Sequence, residues 1–278
     1  MLLLDAHVHI YNQFDFNVFF SSAFFNFSMA AKSLNIHKYI SVIVLTDWSN
    51  QNWFRELSTL SDLSNDRQTI HHPFNFKIKK TQEEIALKIL KNDSEELFLI
   101  AGRKIISAED LEILALCSLQ DFPDGKPLLD TIRLIDESGT IPVIPWAVGK
   151  WLGKRGTLLD ELIDNPRDSF FYLCDNGNRP YFWPWPRHFK EAERNGIPII
   201  AGSDPLHFSS EVSRIGRFGC LIDAHVTPAT PGSEIVQLLR EGQKSICRYG
   251  KLETGLRFVR NQLIMQLGKK KWRKDLVK

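Results

Sequence analysis

Short apolar runs alternate with longer amphipathic segments along the chain. The apolar runs lie at residues 1–8, 39–47, 97–106, 140–148, 170–175 and 196–204. Such nearly continuous runs are typical of strands that are buried on both faces of a parallel sheet. The segments with helical spacing lie at residues 81–92, 107–119, 126–139 and 186–196. This alternation predicts an α/β fold, built either as a barrel or as a doubly wound sheet.

Helix boundary signals accompany three of these segments. Ser107 with Asp110 resembles an N-cap followed by an acidic residue in the first turn, and Gly139 and Gly196 stand where helices would end. Six clear strands, with room for two that the pattern does not reveal, favour a distorted TIM-like (β/α) barrel over a doubly wound sheet.

The remaining segments fill in the rest of one domain. The phenylalanine-rich residues 14–27 predict a loop or a helix packed on the body, residues 49–80 an insertion or long loop, and residues 252–267 a last helix. We therefore expect a single α/β barrel over residues 1–268 and a basic tail over 269–278. Such a tail is either solvated or binds an anionic partner.

Composition narrows the function classes only slightly. The 278 residues are 43% hydrophobic and 24% charged, with a formal net charge of +2. This balance makes nucleic acid an unlikely partner. Four scattered cysteines, the absence of a signal-peptide pattern and the lack of a spanning segment predict a cytoplasmic protein without membrane contact. The composition does not decide whether the protein forms a homo-oligomer.

The first apolar run ends in alternating polar residues. In LDAHVHI, Asp5, His7 and His9 share one face if the segment is a strand. In a barrel, the two histidines would point into the mouth at the carboxyl ends of the strands, where barrel enzymes carry their chemistry. Two imidazoles at this spacing can share one metal ion. The alternative is a pair of hydrogen-bonded core histidines.

A second candidate element ends the sixth run. In GIPIIAGSDPLHF, Asp204 follows a buried strand and His207 lies three residues further on. A carboxylate at that end of a strand can complete a histidine site or act as a base on water. It can also simply cap the next helix.

Several motifs in order resemble the PHP (polymerase and histidinol phosphatase) family and, more distantly, the amidohydrolase barrels. The matching segments are DAHVHI, VLTDW, IAGRKIISAEDLEILAL, IPVIPW and GSDPLH. The resemblance implies a distorted barrel with PHP-like topology that binds up to three ions of zinc, manganese or iron. It also implies hydrolysis of phosphate esters, and it adds Asp47 and His207 to the positions that match ligands.

Four positions depart from the family's ligand pattern. The residues at these replaced ligand positions are Trp48, Lys104, Glu112 and Trp146. Because four ligands of the family pattern are missing, we do not expect a trinuclear centre. We expect one divalent ion held by His7, His9, Asp204 and His207. Lys104 either repels a cation, replaces it by pairing with Asp204, Asp47 or Glu112, or is carboxylated as in some amidohydrolases.

Two loops supply candidate substrate contacts. WAVGKWLGKRG carries Lys150 and Arg155 among glycines, and Arg179 follows the fifth strand; each could bind a small anionic substrate or be a solvated cation. The aromatic residues between 181 and 185 could form a wall for a sugar ring or nucleobase, or pack over the barrel end.

Two hypotheses follow. The first is a metal-dependent hydrolase, acting on a phosphate ester, in which Asp204 or Asp47 orients or deprotonates the attacking water. The second is a catalytically inactive barrel that binds a ligand or partner in the old cleft.

Overall fold

The computed structural model describes residues 1–63, 75–92, 95–166, 170–242 and 245–275. Within these ranges eleven strands form one sheet, with seven α-helices and a 3-10 helix around it. The strands are β1 (Leu2–Val8), β2 (Ile40–Trp48), β3 (Lys77–Lys80), β4 (Ala86–Leu90), β5 (Glu96–Ile106), β6 (Glu112–Leu116), β7 (Ile141–Pro145), β8 (Tyr172–Asn176), β9 (Ile199–Gly202), β10 (Phe218–Ile222) and β11 (Ile246–Gly250). The helices are α1 (Phe16–Ser33), α2 (Trp53–Leu63), α3 (Leu128–Glu137), α4 (Lys154–Asp164), α5 (Arg187–Arg194), α6 (Pro231–Glu241) and α7 (Gly255–Asp275), with the 3-10 helix at Ser209–Arg214.

The sheet is barrel-shaped and nearly closed. Its strand order is β11-β10-β1-β2-β5-β6-β7-β8-β9, with the β3–β4 hairpin joined to β5 outside this path. Strands β1, β2 and β5 are parallel, as are β7, β8 and β9, whereas β6 runs antiparallel to both of its neighbours. The backbone N–H of Asp204, just after β9, donates to His7 O of β1 at 2.8 Å. This contact brings one end of the sheet back to its middle.

Apolar side chains form three packed layers. An inner cluster fills the barrel and includes Leu4, Val44 and Ile100. A second cluster lies where α1 and α2 cover β1, β2 and β4, and a third lies where α3, α4 and α5 cover β6, β7 and β8. Burial on both faces explains the nearly continuous apolar runs of these strands.

Two of the four predicted helices are wrong. Residues 81–92 contain β4 and residues 107–119 contain β6, and both strands pair antiparallel with β5. Their Glu, Ala, Leu and Lys residues favour helix locally, but pairing along a buried strand outweighs that preference. Ser107 and Asp110 consequently lie in the β5–β6 turn, where Asp110 N donates to Ser107 O at 3.0 Å, and cap no helix.

The other segments follow the expectations more closely. The helices predicted over 126–139 and 186–196 correspond to α3 and α5 and end before Gly139 and Gly196, which have φ of +83° and +73°. The phenylalanine-rich segment lies within α1, and the last helix is α7, which continues past residue 268. The predicted insertion contains α2 and β3, although residues 64–74 lie outside the described ranges. Strands β10 and β11 were not predicted.

None of the helices that the structure describes is both long and apolar enough to cross a membrane.

Candidate metal centre

The two histidines at the end of β1 converge as their alternation predicts. His7 and His9 are both buried, and their Nε2 atoms lie 2.9 Å apart. The pairing register between β1 and β2 shifts between Asp5 and Val8, so the strand is irregular where the histidines begin. Both imidazoles therefore present Nε2 to the same small space.

Glu112 joins the histidines from the start of β6. Its Oε1 lies 3.2 Å from His7 Nε2 and 3.9 Å from His9 Nε2, while its Oε2 lies 2.6 Å from Lys104 Nζ. The antiparallel pairing of β5 with β6 brings Lys104 and Glu112 together across eight residues of sequence. Of the pairings considered for Lys104, the structure has this one. Its ammonium also lies 4.0 Å from the centroid of the Trp48 ring, a cation–π contact.

Asp204 approaches from the end of β9. Its Oδ1 lies 3.7 Å from His7 Nε2 and 3.8 Å from His9 Nε2. The residue has φ of +43°, a left-handed backbone that Asp tolerates better than most residues. Asn176 Nδ2 donates to Asp204 Oδ2 at 2.9 Å, and Asn178 Nδ2 donates to Asp204 O at 2.5 Å. Two amide side chains thus fix both the backbone and the carboxylate.

The two histidines differ in their electrostatic surroundings. Burial, together with the charges of Lys104 and His7, holds the pKa of His9 well below its usual value. Burial also acts to lower the pKa of His7, but the carboxylates of Asp204 and Glu112 outweigh it and raise that pKa. His9 Nδ1 lies 2.8 Å from Thr46 O, so we assign the proton to Nδ1. Nε2 of His9 then carries a lone pair directed at the cluster.

The donor atoms fit one divalent cation. Ligand atoms about 2.0–2.2 Å from a tetrahedral ion are separated by about 3.3–3.6 Å, and the separations among His7, His9 and Glu112 range from 2.9 Å to 3.9 Å. Asp204 Oδ1 lies 3.7 Å and 3.8 Å from the two imidazole nitrogens, but it is not part of the group whose donor atoms all lie within 4.8 Å of one another. Glu112 Oε1 is buried and, although 3.2 Å from His7 Nε2, makes no hydrogen bond within the described ranges. An unsatisfied buried carboxylate oxygen facing two imidazole nitrogens is the chemistry of a metal site.

Asp5 and Gly202 hold the two halves of the cluster together. Asp5, expected on the face of the histidines, instead accepts hydrogen bonds from Ser203 N at 2.7 Å and Gly216 N at 2.8 Å. Burial raises the pKa of Asp5 to about 6. A Cβ on Gly202 would lie only 2.4 Å from His7 N, so only glycine permits β9 to approach β1 this closely.

Two predicted members lie outside the cluster. His207 is exposed, and its ring centroid lies 6.2 Å from that of Tyr11. Its imidazole is absent from the group of His7, His9 and Glu112 whose donor atoms lie within 4.8 Å of one another. Asp47 Oδ2 accepts from Phe54 N at 3.0 Å at the start of α2, and Arg103 lies 4.0 Å from it. The alternation of β2 turns Asp47 away from the histidines, so Asp47 lies outside the cluster.

The predicted substrate cations already have carboxylate partners. Lys150 Nζ lies 2.6 Å from Asp110 Oδ1, and Arg155 donates to Asp110 Oδ2 at 2.8 Å. Asp110 lies in the β5–β6 turn, two residues before Glu112. Arg179 is buried and makes two 2.9 Å hydrogen bonds to Asp175. Lys150 and Arg155 therefore lie beside the barrel mouth, whereas Arg179 belongs to a buried ion pair with Asp175.

Trp146 does not fill the space of a lost metal ion. Its ring lies in the cluster under α4 and α5, with its centroid 6.0 Å from that of Trp183. Its backbone carbonyl instead accepts from Asn176 Nδ2 at 2.5 Å. Trp48, by contrast, lies beside the centre, with its ring centroid 6.0 Å from that of His9.

The sequence reasoning missed two members of the site. Glu112 was placed among the replaced ligand positions because the family pattern has a histidine near it, but its carboxylate, directed inward from β6, joins the two histidines. Asn176 ends β8 beside Asp175, and its position at a strand's carboxyl end was the available signal.

No family model matches the chain, and no curated protein matches it. Solved structures do match. PsfC from Pseudomonas syringae has a TM-score of 0.56 at 13% sequence identity, covering 95% of this chain and 97% of that chain. The lesion-specific endonuclease PfuEndoQ from Pyrococcus furiosus has a TM-score of 0.53 at 12% identity, covering 89% of this chain and 58% of that chain.

A third match is endonuclease Q in complex with a 27-mer duplex that carries an abasic lesion, with a TM-score of 0.52 and 12% identity. It covers 89% of this chain and 59% of that chain. Identities this low show a shared fold alone. The barrel-shaped sheet is compatible with the resemblance to the PHP family, which no family model confirms.

Proposed function

We propose that the chain is a metal-dependent hydrolase that acts on phosphate esters through one divalent ion of zinc, manganese or iron. His7, His9, Glu112 and Asp204 would hold the ion. The observation that carries this proposal is the convergence of two buried imidazole Nε2 atoms, 2.9 Å apart, with two carboxylate oxygens delivered by other strands. Burying two imidazoles and the Oε1 atom of Glu112 together without a cation would cost several kcal/mol.

The chain's own residues supply positions and charges. A divalent ion held there would stabilise charge on a phosphoryl oxygen and lower the pKa of a water that it binds. Asp204 Oδ1 faces the same space and is partly exposed, so it accepts the proton of the attacking water. Lys104 holds Glu112 through its 2.6 Å ion pair and adds positive charge beside the reacting phosphoryl group.

Lys150 and Arg155 are the proposed contacts for the substrate's remaining charge. Both are partly exposed and share the single carboxylate of Asp110, so this part of the mouth keeps one net positive charge. An arriving phosphate oxygen can replace one carboxylate oxygen at these cations.

Two further observations bear on the partner of the protein and on a second candidate function. The endonuclease Q complex contains a nucleic acid, which weighs against the expectation that nucleic acid is an unlikely partner, although at 12% identity. The Lys104–Glu112 pair favours a second candidate function, in which an ammonium group replaces the ion and the barrel binds a ligand without catalysis.

The first experiment measures metal content. The protein is purified without chelator or histidine tag, and Zn, Mn and Fe are quantified per chain for the wild type, His9→Ala and Glu112→Gln. The control is His37→Ala, because His37 is exposed and lies outside the cluster. We expect about one ion per chain in the wild type and control, and loss of at least tenfold in affinity in the two variants.

Phosphate release from a panel of phosphate esters is then compared across the same four proteins with added Zn or Mn. We expect activity to follow metal content. A wild type that takes up none of these metals on incubation contradicts the hydrolase proposal and leaves the binding protein.

A further inference from the structure

An aromatic cavity of about 420 Å³ opens beside the barrel mouth. It lies between the loop that leads from β7 into α4 and the loop that leads from β8 into α5. Its walls include Trp146, Trp151, Trp183, Leu152 and Pro186. A volume of this size accommodates a ring system rather than a single water or ion.

The walls offer ring faces rather than charges. Trp146 and Trp151 are buried, Trp183 is half-buried, and the centroids of Trp146 and Trp183 lie 6.0 Å apart. Asp160, the acidic residue of the lining, lies 3.1 Å from His188 Nε2 and also pairs with Arg187. Its negative charge is therefore already paired. A cavity with these walls favours an uncharged, planar occupant.

Two hydrogen-bonding atoms in the walls lack a hydrogen bond to any residue that the structure describes: Trp151 Nε1 and Asp160 Oδ1. The second lies 3.1 Å from His188 Nε2. Both atoms are buried behind the cavity surface, so the selectivity of the cavity comes from its aromatic walls. Glycines at 149, 153 and 156 add main chain without side-chain bulk to the same lining.

The cavity lies close to the candidate metal centre, although its lining includes none of the residues of that centre. Asn176 Nδ2 lies 2.5 Å from the backbone oxygen of Trp146 and 2.9 Å from Asp204 Oδ2. One side chain thus separates a wall of the cavity from a carboxylate of the centre. A phosphate at the centre and a ring a few bonds away on the same molecule would reach both places.

From this juxtaposition we infer that the cavity is the binding site for a planar nitrogen heterocycle on the substrate, and that the preferred phosphate esters are nucleotides. The inference rests on the proposed function, because it places the phosphate of the same molecule at the metal centre. The ring lies against Trp183 and Trp146. Stacking of this kind accepts any base, so it selects nucleotides over simple sugar phosphates without selecting among bases.

The test compares adenosine 5′-monophosphate with ribose 5-phosphate, which lacks only the base. Dissociation constants are measured with the full chain by calorimetry, without added metal, for the wild type and Trp183→Leu. The control is Trp53→Leu, because Trp53 lies in α2 and outside the cavity lining. We expect the wild type and control to bind the nucleotide at least tenfold more tightly than the sugar phosphate.

Trp183→Leu should reduce that ratio about tenfold, as expected for loss of one stacking face. Thermal unfolding checks that this variant is folded. Equal binding of the two ligands by the wild type overturns the inference.

A separate readout keeps the two proposals apart. Phosphate release from both compounds is measured with added Zn or Mn. Release from ribose 5-phosphate with no preference for the nucleotide supports the hydrolase and refutes the ring site. Tighter nucleotide binding that depends on Trp183, with no phosphate release from either compound, supports the ring site and refutes the hydrolase.

Discussion

Two carboxylates near the ends of β2 and β6, the strands on either side of β5, have opposite electrostatic surroundings. Burial acts to raise the pKa of Glu112, but Lys104 and the two histidines outweigh it and lower that pKa. Asp47 lacks a cation as close: burial raises its pKa to about 7, and Arg103 at 4.0 Å offsets only part of the effect. Glu112 thus stays an ionised donor, whereas Asp47 is a buried acid that favours its neutral form.

The raised pKa of Asp47 predicts a pH-dependent stability. Between its unfolded pKa near 3.8 and its folded pKa of about 7, the folded state binds more protons than the unfolded state. Stability from this group is therefore complete below about pH 4 and is lost as the pH rises through 7. Asp47→Asn keeps an acceptor for Phe54 N and removes the charge.

We expect the wild type to lose more free energy of unfolding than Asp47→Asn between pH 5 and pH 8, by on the order of 2–3 kcal/mol. Urea unfolding at both pH values measures this. Asp5 is present in both proteins, so its titration cancels in the comparison. Parallel pH profiles would mean that Asp47 is ionised at little cost in the folded state.

At the scale of elements, the approach of β9 to β1 decides whether a site exists. Gly202 lies against the main chain of His7, and the next two residues are held by Asp5 and by His7 O. The result is that Asp204 reaches the two imidazoles. A small displacement of β9 would move Asp204 away while leaving the rest of the sheet paired.

Gly202→Ala tests this packing. The added Cβ would lie 2.6 Å from His7 Cβ as well as 2.4 Å from His7 N, so β9 must shift. We expect a loss of about 2–4 kcal/mol in stability and a weaker affinity for Zn. Gly255→Ala is the matched control, because its Cβ would meet only the exposed Phe182 ring. Equal Zn affinity in both variants would show that the close approach of β9 to β1 does not control metal binding.

The elements also explain which parts of the fold and site could be predicted. His7, His9 and Asp204 end strands with buried apolar runs, and such runs reveal both the strand and the position of its end. Residues 107–119 contain good helix formers but include the strand β6. Its pairing with β5 is a tertiary contact that a local sequence pattern does not reveal. A helix over these residues gives no reason to direct Glu112 toward the histidines, since the direction of a side chain follows from its element.

At the scale of the whole molecule, a buried ion network connects α7 to the metal centre. Arg214 pairs with Glu253 just before α7, lies 3.4 Å from Glu211 Oε2, and donates to Gly177 O at 2.7 Å. Gly177 lies between the two asparagines that hold Asp204. A buried guanidinium thus ties the C-terminal helix to the loop behind the site.

Arg214→Met should therefore destabilise the protein by about 3–5 kcal/mol, because it leaves the Gly177 carbonyl without its donor and removes one of the two guanidinium groups that pair with the buried carboxylates of Glu211 and Glu253. Chemical denaturation measures the loss. Arg217→Met is the matched control, since Arg217 is exposed three residues away, and it should change stability by less than about 0.5 kcal/mol. Similar losses in both variants would argue against the network.

The contact that closes the barrel has a consequence for the order of events during folding. Asp5 and Ser203, which are hydrogen-bonded, stand 198 residues apart in the chain. Contacts of such long separation form late, because the entropy of closing the loop is lost before the contact can stabilise the chain. The histidines and Asp204 meet only through this closure. An ion that needs all of these ligands would bind only after the chain has folded, and its uptake rate would report the last step of folding.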